Sequence, residues 1–197
     1  MSIEDSDVPG AETAIEAARA HEDDGEGGDG EPGANAVREA AAHVVEFMLG
    51  GEKCAIDIAT VDSIVEPKQV TRVPRAPAAV DGVMDLRGET TAIVDPREFL
   101  SIQGRASEQN ILVLDRDDDK QKIGIRVDEV TEVASYHEEH IDRNTELQGI
   151  KTTAIESELV RGIIRKGLVD EADEEQTVTD VELLLWLDID RLIDAVE

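Results

Sequence analysis

Basic residues are scarce in this chain: 19 Lys and Arg stand against 47 Asp and Glu, a formal net charge of −28. Nucleic acid and anionic membrane are excluded as partners, because both require a basic face to offset phosphate charge. Cysteine is nearly absent as well. Cys54 is the only one, which rules out an internal disulfide framework and a thiolate zinc site. In the run Lys53-Cys54-Ala55-Ile56 it reads as a small buried hydrophobe rather than a reactive thiol. No apolar run approaches the ~20 residues needed to span a bilayer, and MSIEDSDVPG lacks the basic start of a signal peptide. The chain is therefore read as cytosolic, with no direct membrane insertion.

Catalytic signatures are missing too. No Ser sits in a nucleophile elbow, no glycine-rich loop leads into a helix as a phosphate cradle, and no Cys/His pairing stands out. Asp115, Asp117 and Asp119 imitate the first half of a calcium loop. Lys120 then stands where glycine must turn and Arg126 where a bidentate Glu must coordinate. His137 and His140 lie three apart, not at the four-residue spacing of a zinc helix, and read as exposed residues of a polar turn. Asp85, Asp95 and Asp128 could pair as general acid and base, but nothing in their spacing makes them converge. The expectation is no enzyme, no cofactor and no metal.

What the chain has in abundance is acid. It is spread along the sequence as well as concentrated at the N-terminus, so it reads as a solvated surface rather than a substrate site. At molar salt the Debye length falls to about 3 Å and screens such self-repulsion, so a salt-rich, halophilic cytoplasm is inferred. Residues 1–42, with HEDDGEGGDGEPGAN at their centre, are read as a disordered acidic tail, because they cannot bury enough apolar surface to offset ordering entropy. The 166–180 stretch, KGLVDEADEEQTVTD, is read as a solvated loop tip.

From Val44 the pattern turns to short β-rich runs: VVEFMLG, a Gly50-Gly51-Glu52 turn, KCAIDI, and VDSIVE. Val70 to Pro77, VTRVPRAP, is an edge or loop because of its prolines. VDGVMDLRGETTAIVD, Val80 to Asp95, reads as a hairpin interrupted at Arg87-Gly88-Glu89, and Asp95-Pro96-Arg97-Glu98 as a capped helix start. Ile111 to Leu114 and IGIRV form another strand pair. IDIATVDSIV, from Ile56, superimposes on IRVDEVTEVA, from Ile125, with Val61 over Val130 and Ile64 over Val133. LDIDRLIDAV, from Leu187, echoes VDPREFL, from Val94. These repeats imply two related β-rich subdomains, each a small barrel closed by a helical turn.

VTRVPRAP followed by VDGVMDLRGETTAIVD resembles the signature of the CheW family of chemotaxis coupling proteins, and the likeness runs from about Val44 to Ala195. Departures are Asp85 for the usual Asn, Ala92 for Pro and Pro96 for Leu. The resemblance implies a mainly β fold of two pseudo-symmetric SH3-like five-stranded barrels around a shared core over residues 43–197. It also implies an adaptor joining the cytoplasmic tips of chemoreceptors to the histidine kinase CheA at membrane-associated arrays. Positions matching the receptor contact region are Val61, Gly82, Arg87, Gly124, Val130 and Val133. Val70, Val73, Pro74, Pro77 and Gly82 are candidates for the kinase side. From the residues alone the valines could instead be inter-barrel core. Arg87 could equally be an internal clamp to Asp85 or Glu89. Other uses of the same pattern are a stand-alone CheA-type regulatory domain or a CheV-like coupling domain. From another class, a small hydrolase would use Asp95 and Asp128.

Overall fold

A computed structural model describes residues 42–100, 102–104, 109–115, 121–143, 159–169 and 178–196. Residues 1–41 of the expected tail, Asp117 and Asp119 lie outside the described residues; Ala42, its last residue, begins the first strand.

Turn chemistry and alternating burial set the first strands. β1 (Ala42–Leu49) and β2 (Glu52–Asp57) flank the two-residue turn Gly50-Gly51. A 3₁₀ turn at Ile58–Thr60 leads into β3 (Val61–Val65). The hairpin of β4 (Val80–Leu86) and β5 (Glu89–Val94) follows. At its end the Asp95 carboxylate accepts a hydrogen bond from the Arg97 backbone N–H at 3.1 Å and caps the short helix α1 (Arg97–Leu100). The second half supplies β6 (Asn110–Leu114), β7 (Lys122–Val127), β8 (Glu129–Tyr136), β9 (Ile141–Asp142), β10 (Val160–Val169) and β11 (Val178–Leu187). It closes with α2 (Ile189–Asp194), whose cap Asp188 accepts from the Arg191 N–H at 3.2 Å.

The two halves do not stay apart. One sheet runs β8-β1-β2-β11-β10-β9 and the other β3-β6-β7-β5-β4. Each sheet therefore combines strands from both halves, and exchanging β1 with β6, β2 with β7, β3 with β8, β4 with β10 and β5 with β11 converts one order into the other, apart from the additional edge strand β9. Both contain a single parallel pairing, β11 on β2 and β5 on β7. Both carry a register shift at the same place, between Val80 and Gly82 and between Val160 and Gly162.

Burial follows this exchange. Met84, Ile93, Ile111 and Val113 form a cluster drawn wholly from the second sheet. Val44, Ala55, Tyr136, Ile164, Leu184 and Trp186 form one drawn wholly from the first. Strands from opposite edges meet in each cluster, Tyr136 of β8 with Ile141 of β9 in one, Val65 of β3 with Met84 of β4 in the other, so each sheet is rolled. The largest cluster, including Phe47, Ile56, Val61, Leu112, Ile125, Leu185 and Leu192, lies between them and takes side chains from both sheets and both helices. The architecture is mainly β, as the sequence implied.

One expectation is narrowed. The flanks of the acidic stretch 166–180 are strand: Lys166 pairs with Glu182, Gly167 with Val181 and Leu168 with Asp180. The backbone ladder continues outward from the buried part of the hairpin, and only residues 170–177 lie outside the described residues.

Candidate partner-binding surface

The β4–β5 turn has only two central residues, Arg87 and Gly88, with φ of 53° and 89°. Positive φ at both is the hairpin geometry that matches strand twist, and it normally selects Asn-Gly. Arg87 is an arginine held in the left-handed region, fully at the surface. The nearby acids are otherwise engaged. The Gly88 N–H donates to the Asp85 carboxylate at 3.2 Å, and Glu89 pairs with Lys122 at 3.5 Å. The internal clamp is thus not formed: the exposed Arg87 side chain makes no ion pair or hydrogen bond.

Residues 68–79 run beside β4. Thr71 and Val83 exchange both backbone hydrogen bonds at 2.8 Å. Gly82 permits this approach: its φ is 152°, and a Cβ there would lie 2.3 Å from the Thr71 carbonyl oxygen. Between this segment and the hairpin lies an open cleft of about 700 Å³ lined by Lys68, Gln69, Thr71, Met84, Asp85 and Arg87, among others. Val70 is half-buried against the Met84 cluster. Val73 is 39% exposed, and Pro74 and Pro77 are at the surface.

The other expected contact residues sit differently. Val61 is fully buried in the shared core, and Val130 and Val133 are half-buried and pack against it. Gly124 is buried too, and a Cβ there would meet Ile111 Cγ2 at 2.5 Å. Gly82, Arg87 and Val70 therefore share the β4 edge, whereas Val61, Val130 and Val133 share the seam between the sheets.

Sequence reasoning failed to bring Asp95 and Asp128 together; the structure does so through Arg97. Its Nη1 donates to Asp95 at 3.0 Å and its Nη2 to Asp128, with all three residues at most 8% exposed. The other Asp128 oxygen accepts from the Gly50 N–H at 2.6 Å. Carboxylates bridged by one buried guanidinium form a clamp between α1, the β1–β2 turn and the β7–β8 junction, not an acid and base facing a substrate. The available signal was Arg97 itself, a cation directly after the capping Asp-Pro.

A second missed network lies in the first sheet. Glu46 of β1 sits opposite Glu132 of β8, a repulsive pairing resolved by Lys166 of β10, which donates to both. The Tyr136 hydroxyl donates to Glu46 at 2.5 Å. Burial and the Glu46 hydrogen bond push the Tyr136 phenol well above its usual range. Burial pulls Lys166 down, but its hydrogen bonds to Glu132 and Glu46 outweigh this and hold the ammonium above normal. A third arrangement repeats across the pseudo-twofold with its signs exchanged. Arg126 Nε of β7 donates to Asp81 of β4 at 2.5 Å, while Arg161 of β10 donates to Asp57 of β2. Burial raises the Asp57 carboxyl even so, against the opposing pull of Arg161.

His137 and His140 have ring centroids 6.4 Å apart and are half-buried rather than exposed. Among the described residues no group of three or more His, Cys, Asp or Glu could hold a metal ion. Cys54 is fully buried, and that burial pushes its thiol far above its usual range.

The family model described as CheW-like domain matches residues 43–197. The chain is 27% identical over 168 residues to the chemotaxis protein CheW of Treponema pallidum, covering 82% of this chain and 88% of that one. It is 37% identical over 95 residues to that of Klebsiella aerogenes, covering 48% of this chain and 57% of that one. In fold it is similar to the scaffolding protein TtCheW from Thermoanaerobacter tengcongensis, with a TM-score of 0.60, 22% identity, and coverage of 82% of this chain and 93% of that one.

Proposed function

The chain belongs to the CheW family of chemotaxis coupling proteins, and from that premise we propose that it couples chemoreceptor tips to the histidine kinase CheA through separate faces. The observation that carries this reading is Arg87, an exposed arginine in the left-handed region of a two-residue turn whose neighbouring acids are paired elsewhere. Local backbone strain held at an exposed cation fits a contact residue. Receptor contact is assigned to Arg87 with Gly82, and to Val130 and Val133 along the seam. Val61 and Gly124 shape that face from beneath. The kinase side is assigned to Val70, Val73, Pro74 and Pro77.

Mechanistically the chain is a scaffold and not an enzyme. The two carboxylates that a hydrolase would use are held by Arg97 inside the fold. Coupling requires that receptor state bias the kinase through differential contacts in at least two array states. Attachment to the array is assigned to protein contacts with receptor and kinase; among the described residues no helix is long and apolar enough to cross a membrane. Size-exclusion chromatography of receptor cytoplasmic fragments, CheA and this chain tests the reading. A three-component peak that forms only when the chain is present supports it. Binding to one partner alone would instead fit a detached regulatory domain.

A further inference from the structure

The described residues include thirteen Lys and Arg. Eight are paired with carboxylates: Lys53, Arg97, Lys122, Arg126, Arg143, Arg161, Lys166 and Arg191. Arg165 donates to the Glu139 carbonyl. The remaining four, Lys68, Arg72, Arg75 and Arg87, are exposed, and their side chains make no ion pair or hydrogen bond. Arg72 follows Thr71, which pairs with Val83 of β4, Arg75 lies in the same 68–79 segment, and Arg87 is in the β4–β5 turn. Residues 67–80 contain no Asp or Glu, in a chain with 47 of them. Arg75 and Arg87, at φ of 66° and 53°, are also the only non-glycine residues in the left-handed region among the described residues. Lys68 and Arg87 line the cleft of about 700 Å³. A group of unpaired cations whose 67–80 limb carries no acid, with Asp85 the one carboxylate lining the cleft, and with local strain at two of its arginines, suits an acidic occupant.

We propose that this occupant is the acid-rich segment at residues 22–31 of the same chain, which carries Glu22, Asp23, Asp24, Glu26, Asp29 and Glu31 and no Lys or Arg. The tether favours it over any acidic surface in trans. The eleven residues from Glu31 to Ala42 span up to about 35 Å, against a radius of gyration of about 15 Å for a 155-residue fold. A tether of this length supplies an effective concentration of about a millimolar without any added affinity. The contact is ionic and therefore set by salt: it tightens as the Debye length grows from about 3 Å at 1 M toward about 10 Å at 0.1 M. The arm so seated covers a strip that includes Arg72 and Arg75, the exposed face of the 70–77 segment. Its occupancy stands independently of which partner uses that face.

The test uses the full chain with Gly28→Cys carrying a nitroxide; Cys54, fully buried, stays unlabelled. Transverse relaxation of backbone amides is read as salt falls. At lower salt the amides of residues 69–76 and 86–88 should relax at least about threefold faster than the remaining surface, as a tethered contact requires. The enhancement should vanish in the combined K68Q/R72Q/R75Q/R87Q variant, and in a variant whose six acids at 22–31 are replaced by Gln or Asn. Enhancement centred on another surface, or persisting in either variant, overturns the proposal. So does enhancement that appears only between separately labelled chains, since the occupant would then be a second copy. The tail variant leaves every described residue intact, so the test does not depend on how the strip variant folds.

Discussion

Arg87 is a residue whose conformation and chemistry pull in opposite directions. A left-handed bulky residue costs about 1–2 kcal/mol relative to one that adopts this region easily, and no local ion pair offsets it. Replacing it with Asn, the residue that this turn prefers, should raise the unfolding free energy by about 0.5–1 kcal/mol in urea titration while removing the cation. A stabilised variant that also loses receptor binding would show fold and contact in conflict at one position. A destabilised variant would mean that the side chain supports the hairpin after all. The place of this residue was legible, because Gly88 after a β-rich alternation marks a turn. Its lack of a partner was not, since Asp85 and Glu89 are equally near in sequence and only the folded geometry shows that both are taken.

Among the elements, α1 and the strand junctions depend on a buried clamp that no spacing rule revealed. Asp95 was recognisable as a cap; its bridge to Asp128 crosses 33 positions and rests on the exchange of strands between the halves. Removing one partner of such a group strands a buried charge. Asp128→Ala should therefore lower the unfolding free energy by about 3–5 kcal/mol, measured by chemical denaturation; a loss below ~1 kcal/mol, the range of an exposed pair, would contradict the clamp. The Glu46, Tyr136 and Lys166 network ties β1, β8 and β10 together and carries a pH signature. Tyr136 and Lys166 both have folded pKa values above their ordinary ones. From about pH 10, where an unperturbed phenol or ammonium titrates, the unfolded chain releases protons that the folded chain keeps. Stability contributed by these groups is thus complete at lower pH and declines through the alkaline range. Tyr136→Phe should flatten the slope of unfolding free energy against pH above about 10. An unchanged slope would remove Tyr136 from that titration.

For the whole molecule, the fold class was readable because hydrophobic alternation, turn residues and the repeat of Ile56 to Val65 over Ile125 to Ala134 all pointed to two β-rich units. The strand exchange was hidden, since a repeat shows likeness of segments and not which sheet each joins. Repeat positions Val61 and Val130, with Ile64 and Val133, meet around the shared core, which explains why they read equally as core and as interface. Net charge acts at this scale too. With −28 overall, self-repulsion is screened in molar salt and released on dilution. The midpoint of a thermal unfolding curve followed by circular dichroism should fall as salt is dialysed away, and a midpoint independent of salt would remove the case for a high-salt interior.

Coupling itself is read most directly as receptor-dependent phosphorylation of CheA, with the parent chain and Arg87→Ala compared on preparations whose unfolding is measured alongside. The expected result is strong receptor-dependent phosphorylation with the parent chain and its loss with an Arg87→Ala protein that unfolds as the parent does. Phosphorylation equally high without the chain, or undiminished by a stable Arg87→Ala, would contradict an adaptor that works through this surface.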